Sequence, residues 1–350
     1  MTSSTPRLRA PFAVAAASAL VLSACSGDIS EESSETAGGD TAAFGSCDVA
    51  PDYPNGPVEI VVPWSAGGGT DSVARLLGNS LSDSLGVQVN VVNRTGGAGV
   101  VGHQAMASAN PDGQTLGLVT SEISMMHWQG LTDLTPDDVV AIAQVNADPA
   151  AVSVGADSEY ANIQELLDAI EANPGTVTAS GTAQGGLGHV AMLGMLMAAD
   201  LPVDAVTWVP SEGAAPAVQE LVAGGVDFIV TSSAGEVAPM VEAGELSSIA
   251  VMADEPDQNF PDIPLLKDEA DNDYTGGTWR GVSAPVGTDE NIVEEVGCHV
   301  EEIVETEEFE EFLSDSGFSA VYADGPTFAT FMDEQDAMFG EVMEAGGLTE

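Results

Sequence analysis

From residue 58 onward, short apolar runs alternate with longer stretches in which apolar positions recur every three or four residues. Val58, Ile60, Val61, Val62 and Pro63 make the first run. Val73, Leu76, Leu77, Ser80 and Leu81 then share one face of a helix, so that face is core. Further strand-like runs follow at 87–92, 115–120, 150–154, 177–180, 205–209, 226–231 and 246–252. Helical stretches separate them, among them 163–172, stopped by Asn173-Pro174-Gly175, and one carrying Val190, Leu193 and Met197. Thr135-Pro136-Asp137-Asp138 reads as a helix start, with an N-cap, a proline at the first helical position and acids in the first turn.

Alternation of this kind predicts an α/β fold of parallel or mixed sheets with helices on both faces. The length of 350 residues suits two packed lobes. The run at 150–154 is the expected crossing into the second lobe and 246–252 the strand that returns. Lobe 1 is then 51–147 with 247–350, and lobe 2 is 148–246.

Ligands in such sheets sit at the carboxyl ends of strands. Four features fall there: Trp64-Ser65-Ala66-Gly67-Gly68-Gly69-Thr70-Asp71, the turn Gly96–Gly99, the loop Gly181-Thr182-Ala183-Gln184-Gly185-Gly186-Leu187-Gly188-His189, and Ser232-Ser233. Thr120 ends another strand at the same edge. Glycines followed by a helix start let backbone N–H groups approach an anion. The first loop lacks the Gly-Lys-Ser/Thr ending of a P-loop, and the third has no acidic partner at dinucleotide-fold distance. His103, His127, His189 and His299 are scattered, which points to no metal, and no cofactor is expected. No Gly-x-Ser-x-Gly elbow occurs, and Ser65, Ser180, Ser232 and His189 carry no triad spacing.

Charge narrows the partners. Fifty-six acidic residues against six Lys and Arg give a net charge of −50, which repels nucleic acid and anionic membrane surfaces. Near-absence of lysine with acids spread over helix faces fits a protein kept hydrated in high salt, and no calcium-loop spacing appears. Residues 1–24 read as an export signal: Arg7 and Arg9, an apolar segment from Pro11 to Leu22, then Leu22-Ser23-Ala24-Cys25. That tetrapeptide resembles the lipobox of bacterial lipoproteins, with Cys25 as the lipidated residue. Residues 25–50 read as a flexible acidic tether. Cys47 and Cys298 remain as an even pair in an oxidising compartment and are expected to bridge.

Several motifs in order carry a family resemblance: YPNGPVEIVVPWSAGGGTD over 53–71, VVNRTGGAG over 91–99, NPDG over 110–113, ASGTAQGGLGH over 179–189, EGAAP over 212–216, GVDF over 225–228 and GVSAPVGT over 281–288. Together they resemble the Bug-type, TctC-like extracytoplasmic solute receptors, the binding subunits of tripartite tricarboxylate transporters. The resemblance implies a two-lobed periplasmic-binding-protein (type II) fold with a small carboxylate, possibly an amino acid, held in the cleft by backbone amides and waters. Carried over, the two loops match Ser65 to Asp71 and Thr182 to His189. At Trp64-Ser65-Ala66 the chain departs from the family's usual aromatic-Pro-Pro, so a re-lined pocket is expected there.

Some roles stay open at this point. Asp71 either meets an amine or hydroxyl of the ligand or caps its helix. His189 either touches ligand or fixes its loop. Trp64 is a cleft wall or core, and Arg94 and Arg280 either serve the ligand or neutralise nearby acids. The expected protein is a monomeric, lipid-anchored receptor that delivers its ligand to membrane transporter subunits. A sensor subunit and a secreted hydrolase are the alternatives.

Overall fold

The computed structural model describes residues 47–232 and 235–349. The export signal, Cys25 and the tether as far as residue 46 lie outside the described residues. Among the described residues ten strands and ten α-helices succeed one another: β1 (Val58–Val62), α1 (Gly69–Leu85), β2 (Val89–Asn93), α2 (Val100–Ala107), β3 (Thr115–Thr120), β4 (Val139–Gly155), α3 (Ile163–Ala172), β5 (Val177–Ser180), α4 (Leu187–Ala198) and β6 (Val206–Trp208). Then come α5 (Ala214–Val222), β7 (Phe228–Ser232), α6 (Ala238–Glu242), β8 (Leu246–Val251), α7 (Leu266–Ala270), β9 (Gly277–Pro285), α8 (Glu290–Val304), α9 (Glu307–Asp315), β10 (Ala320–Asp324) and α10 (Gly325–Ala345). No helix of the described residues is long and apolar enough to cross a membrane.

The strands join in the order β2-β1-β3-β9-β4-β7-β5-β6, with β8 and β10 also on β4. Parallel pairs (β1 with β2 and β3, β5 with β6 and β7) flank an antiparallel centre built on β4. Strand β4 is the spine. Val139–Pro149 ladder against β9, and Ala150–Val154 ladder against β7. The sheet thus changes partners in the middle of one 17-residue strand.

Two local expectations are revised. The helix start at Thr135-Pro136-Asp137-Asp138 closes its capping box but lasts one 3-10 turn, Pro136–Asp138. The apolar run behind it is buried on both faces, which favours a central strand over a surface helix. The run at 246–252 does not return the chain to the first half of the sheet. β8 pairs with Ala151–Gly155 of β4, and β9 makes the return.

Helix α1 shows how the pattern builds the core. Val73, Ala74, Leu77 and Leu81 are buried against Val58, Ile60 and Val62 of β1, while Leu76 and Ser80 are only half-buried. Each fully buried Leu contributes about 1.5–3 kcal/mol. Gly86, in the left-handed region at φ 68°, ends the helix. Val61 of the same strand points to the other face and packs with Val119, Trp279, Phe328 and Met332. A further cluster joins Val152, Phe228 and Val230 with Leu193, Phe339, Val342 and Met343. Helix α10 therefore enters two clusters, through Phe328 and Met332 near its start and through Phe339, Val342 and Met343 near its end.

Cys47 and Cys298 form a disulfide with Cα atoms 5.8 Å apart, fixing the start of the described chain to α8. Glu295, one turn earlier on α8, accepts from the N–H groups of Val49 and Ala50 at 2.6 and 3.1 Å.

Candidate ligand-binding site

The carboxyl ends of β1, β3, β5 and β7, the middle of β4 and the start of β9 surround a cavity of about 590 Å³. Asp148, Ala150, Gly277, Thr278 and Arg280 come from the shared strands; Trp64, Glu122, Met125 and Met126 stand on one side and Thr182 to Gly188 on the other. Met125, Met126, Leu187, Phe318 and Trp64 make much of the lining apolar. Such a site holds a ligand with a hydrocarbon body and a few polar ends.

The second glycine loop follows the end of β5. A Cβ on Gly181 would lie 2.1 Å from the Val230 carbonyl oxygen, so only glycine lets this loop pack on β7. Thr182, Ala183, Gln184, Gly185 and Gly186 line the cavity, as does Ser232 at the end of β7. Leu187 and Gly188, the first turn of α4, also line it, and N–H groups at a helix start have no intrahelical acceptor. His189 lies behind the loop. Its Nδ1 accepts from the Gly185 N–H at 3.1 Å, and its ring stacks on Trp208 with centroids 4.8 Å apart. Burial pushes the imidazole down to about 4, which keeps it neutral and able to accept. Its role in the structure is to fix the loop.

The first glycine loop is arranged differently. Helix α1 starts at Gly69, inside the segment expected to be loop, and Ser65, Ala66, Gly67 and Gly68 are exposed and line no part of this cavity. Asp71 is 2% exposed. It accepts from the Gly67 N–H at 2.7 Å, from Arg75 through two nitrogens at 2.9 Å and from Asn93 Nδ2 at 2.8 Å. Gly67 takes φ 84° to offer that N–H. Burial pushes the Asp71 carboxyl up, but its bonds to Arg75, Gly67 and Asn93 outweigh this and hold it below the usual range. All its acceptor positions serve the loop.

Trp64 lines the cavity, and Thr70 meets it only through Arg280. Trp64 Nε1 donates to Thr120 Oγ1 at 3.2 Å, and Thr120 Oγ1 donates to Glu122 at 2.5 Å. Behind them His103 Nε2 accepts from the Thr120 N–H at 3.2 Å while Nδ1 donates to the Gly99 carbonyl at 2.9 Å. The His103 ring is pushed down to about 4, burial outweighing the Gly99 bond, so it too is neutral. Thr70 Oγ1 accepts from Arg280 Nε at 3.1 Å.

Arg280, 9% exposed, ties the two halves of the wall together. Its Nη1 donates to Asp148 at 2.9 Å and to Asn146, and its guanidinium lies 4.7 Å over the Phe318 ring. Arg94 pairs with Glu59 at 3.1 Å and is not part of the cavity. Across the site Gln129 Nε2 donates to the Gly185 carbonyl at 2.6 Å, linking the segment after β3 to the second glycine loop. Glu122, Asp148, Met125, Gln129 and Phe318 carry no local motif. The scarcity of positive charge is a signal that marks Arg280.

A family profile, the tripartite tricarboxylate transporter family receptor (TctC), matches residues 73–348. The chain belongs to that family. It is similar to Protein BugT of Bordetella pertussis, 29% identical over 299 residues, 84% of this chain and 90% of that one. It is also similar to the crystal structure of a TctC solute-binding protein from Polaromonas: 29% identity, TM-score 0.76, 83% of this chain and 99% of that one. MatC of Rhodopseudomonas palustris, solved with bound malate, shares the fold at 24% identity and TM-score 0.65, over 83% of this chain and 99% of its own. This is a family of extracytoplasmic solute-binding receptors and not of enzymes, which answers the hydrolase alternative.

Proposed function

We propose that this TctC-family receptor captures a small carboxylate in the cavity and hands it to the membrane subunits of a tripartite tricarboxylate-type transporter. The observation that carries the reading is the first turn of α4 in the cavity wall, where backbone N–H groups and the positive helix end favour an anion by about 0.3–2 kcal/mol. Malate in MatC supports a carboxylate. Residues 1–24 export the chain, which acts as a monomer, Cys25 carries the lipid, and the tether holds the body off the membrane, ending before Cys47, where the disulfide and Glu295 fix the chain to α8.

Lobe 1 (51–147 with the chain beyond β8) and lobe 2 (148–246 together with the rest of β8) close over the ligand. The hinge is centred near Ala147, close to where β4 passes from its ladder with β9 to its ladder with β7. Closure excludes water, which strengthens amide–carboxylate bonds.

A thermal-shift screen of mono-, di- and tricarboxylates in high salt tests this. A ligand at about a hundred times its Kd adds about 2.7 kcal/mol and raises Tm. No shift with any carboxylate, alongside a shift with a sugar or a cation, would overturn the reading.

A further inference from the structure

Four carboxylates line the main cavity, those of Glu122, Asp148, Glu212 and Glu236, against one guanidinium, that of Arg280. Asp148 has Arg280 at 2.9 Å, and Glu212 and Glu236 are exposed to water. Glu122 is in a different position. It is half-buried in a wall that includes Met125 and Met126, and the described residues leave no cation for it: Arg75 pairs with Asp71, Arg94 with Glu59, Lys267 with Asp254 and Arg280 with Asp148. A carboxylate taken partly out of water without an ion-pair partner is costly, and a cation brought by the ligand would remove that cost. Burial pushes the Glu122 carboxyl up, whereas hydrogen bonds from Thr120, its own N–H and Ser121, with the charge of Arg280, favour the carboxylate.

The surroundings of Glu122 select the kind of cation. Met125, Met126, Trp64 and Phe318 line the same cavity with thioether and aromatic surface, and Phe318 already carries the Arg280 guanidinium 4.7 Å over its ring. A metal ion or a primary ammonium requires several acceptor atoms around it, and Glu122 spends part of its own capacity on Thr120 and Ser121. A quaternary ammonium has no N–H to satisfy. Its methyl groups pack on apolar and aromatic surface while its charge meets the carboxylate.

We propose that the solute is a quaternary ammonium carboxylate, with its carboxylate on the first turn of α4 and its ammonium against Glu122. The proposal rests on the carboxylate-receptor reading and narrows it. Glu122 stands on one side of the cavity and the loop Thr182 to Gly188 on the other, so the two charges of such a solute each meet the opposite charge in the wall. Glu122 is then the residue that decides between this solute and an uncharged analogue of the same shape.

Calorimetric titration with glycine betaine, with γ-butyrobetaine and with their neutral carbon isosteres, tert-butylacetate for the first, is the test, with malate as the reference carboxylate. The wild type is expected to prefer at least one betaine over its isostere by about tenfold. Glu122→Gln, close to isosteric and unable to ionise, is expected to lose most of that preference and to bind tert-butylacetate as the wild type does. The wild-type comparison stands by itself if the variant does not fold. Isosteres that bind as tightly as the betaines, or a preference unchanged in Glu122→Gln, overturn the ammonium seat while the carboxylate reading stands. Binding of malate but of neither betaine has the same meaning. Binding of tert-butylacetate that requires sodium chloride in place of potassium chloride gives the seat to an inorganic ion and also overturns the proposal. No binding of any of these carboxylates overturns both readings.

Discussion

Asp71 and Arg75, one helical turn apart on α1, are joined by two parallel bonds of 2.9 Å, Nε to Oδ2 and Nη2 to Oδ1. The pair is asymmetric, since the arginine side chain is 49% exposed and the aspartate 3%. The exposed partner is cheap to lose and the buried one is not. Asp71→Ala is expected to destabilise by about 2 kcal/mol, because the Gly67 N–H and Asn93 lose their acceptor, and Arg75→Ala by clearly less. Denaturant unfolding of both variants checks this; equal losses would contradict the hub role of Asp71.

Gln129 and Gly185 are expected to act on ligand release. The 2.6 Å bond crosses from the first sheet half to the loop on the second. A net hydrogen bond is worth about 1 kcal/mol, so Gln129→Leu should weaken ligand binding about fivefold, mainly through faster dissociation. Stopped-flow release measured on wild type and variant is the readout, and an unchanged off-rate would remove Gln129 from the mechanism.

Acid should loosen the protein through two buried histidines. His103 and His189 are each lowered from 6.5 to about 4. The unfolded chain therefore takes up protons first, and the stability these rings contribute is present above about pH 6.5 and is lost as pH falls toward about 4. Unfolding midpoints at several pH values in that window, compared with a His103→Gln, His189→Gln double variant, isolate the effect from carboxylate titration. The variant should lose less stability on acidification than the wild type.

Salt should act in the opposite sense. A net charge of −50 gives strong self-repulsion, screened within about 3 Å at 1 M salt. Tm is expected to rise from low to molar salt for the mature protein; a Tm indifferent to salt would refute the halophilic reading.

Much of this architecture was legible because it is local. Apolar runs with period-3.6 stretches between them specify strands and helices wherever one face must be buried, as in α1 over Val73, Leu77 and Leu81. Motif order identified the family, since several spaced matches constrain one another. The site was less legible. Ser65 to Gly68 form a glycine loop in sequence just as Thr182 to Gly186 do, yet they lie outside the cavity, because which side of a loop faces a cleft depends on where the following helix starts. Glu122, Asp148 and Arg280 meet only through strand pairing across distant parts of the chain, and no spacing announces that. The length of β4 was hidden for a related reason: Pro149 interrupts the apolar run, but it sits where the strand changes partners.

Helix α10 has a consequence for how the two halves of the sheet can move. Its 21 residues make a rod of about 31 Å, embedded in one core cluster by Phe328 and Met332 and in another by Phe339, Val342 and Met343. A rod anchored at both ends behaves as a strut. A swing of the two sheet halves against each other therefore has to bend this rod or repack one of its ends.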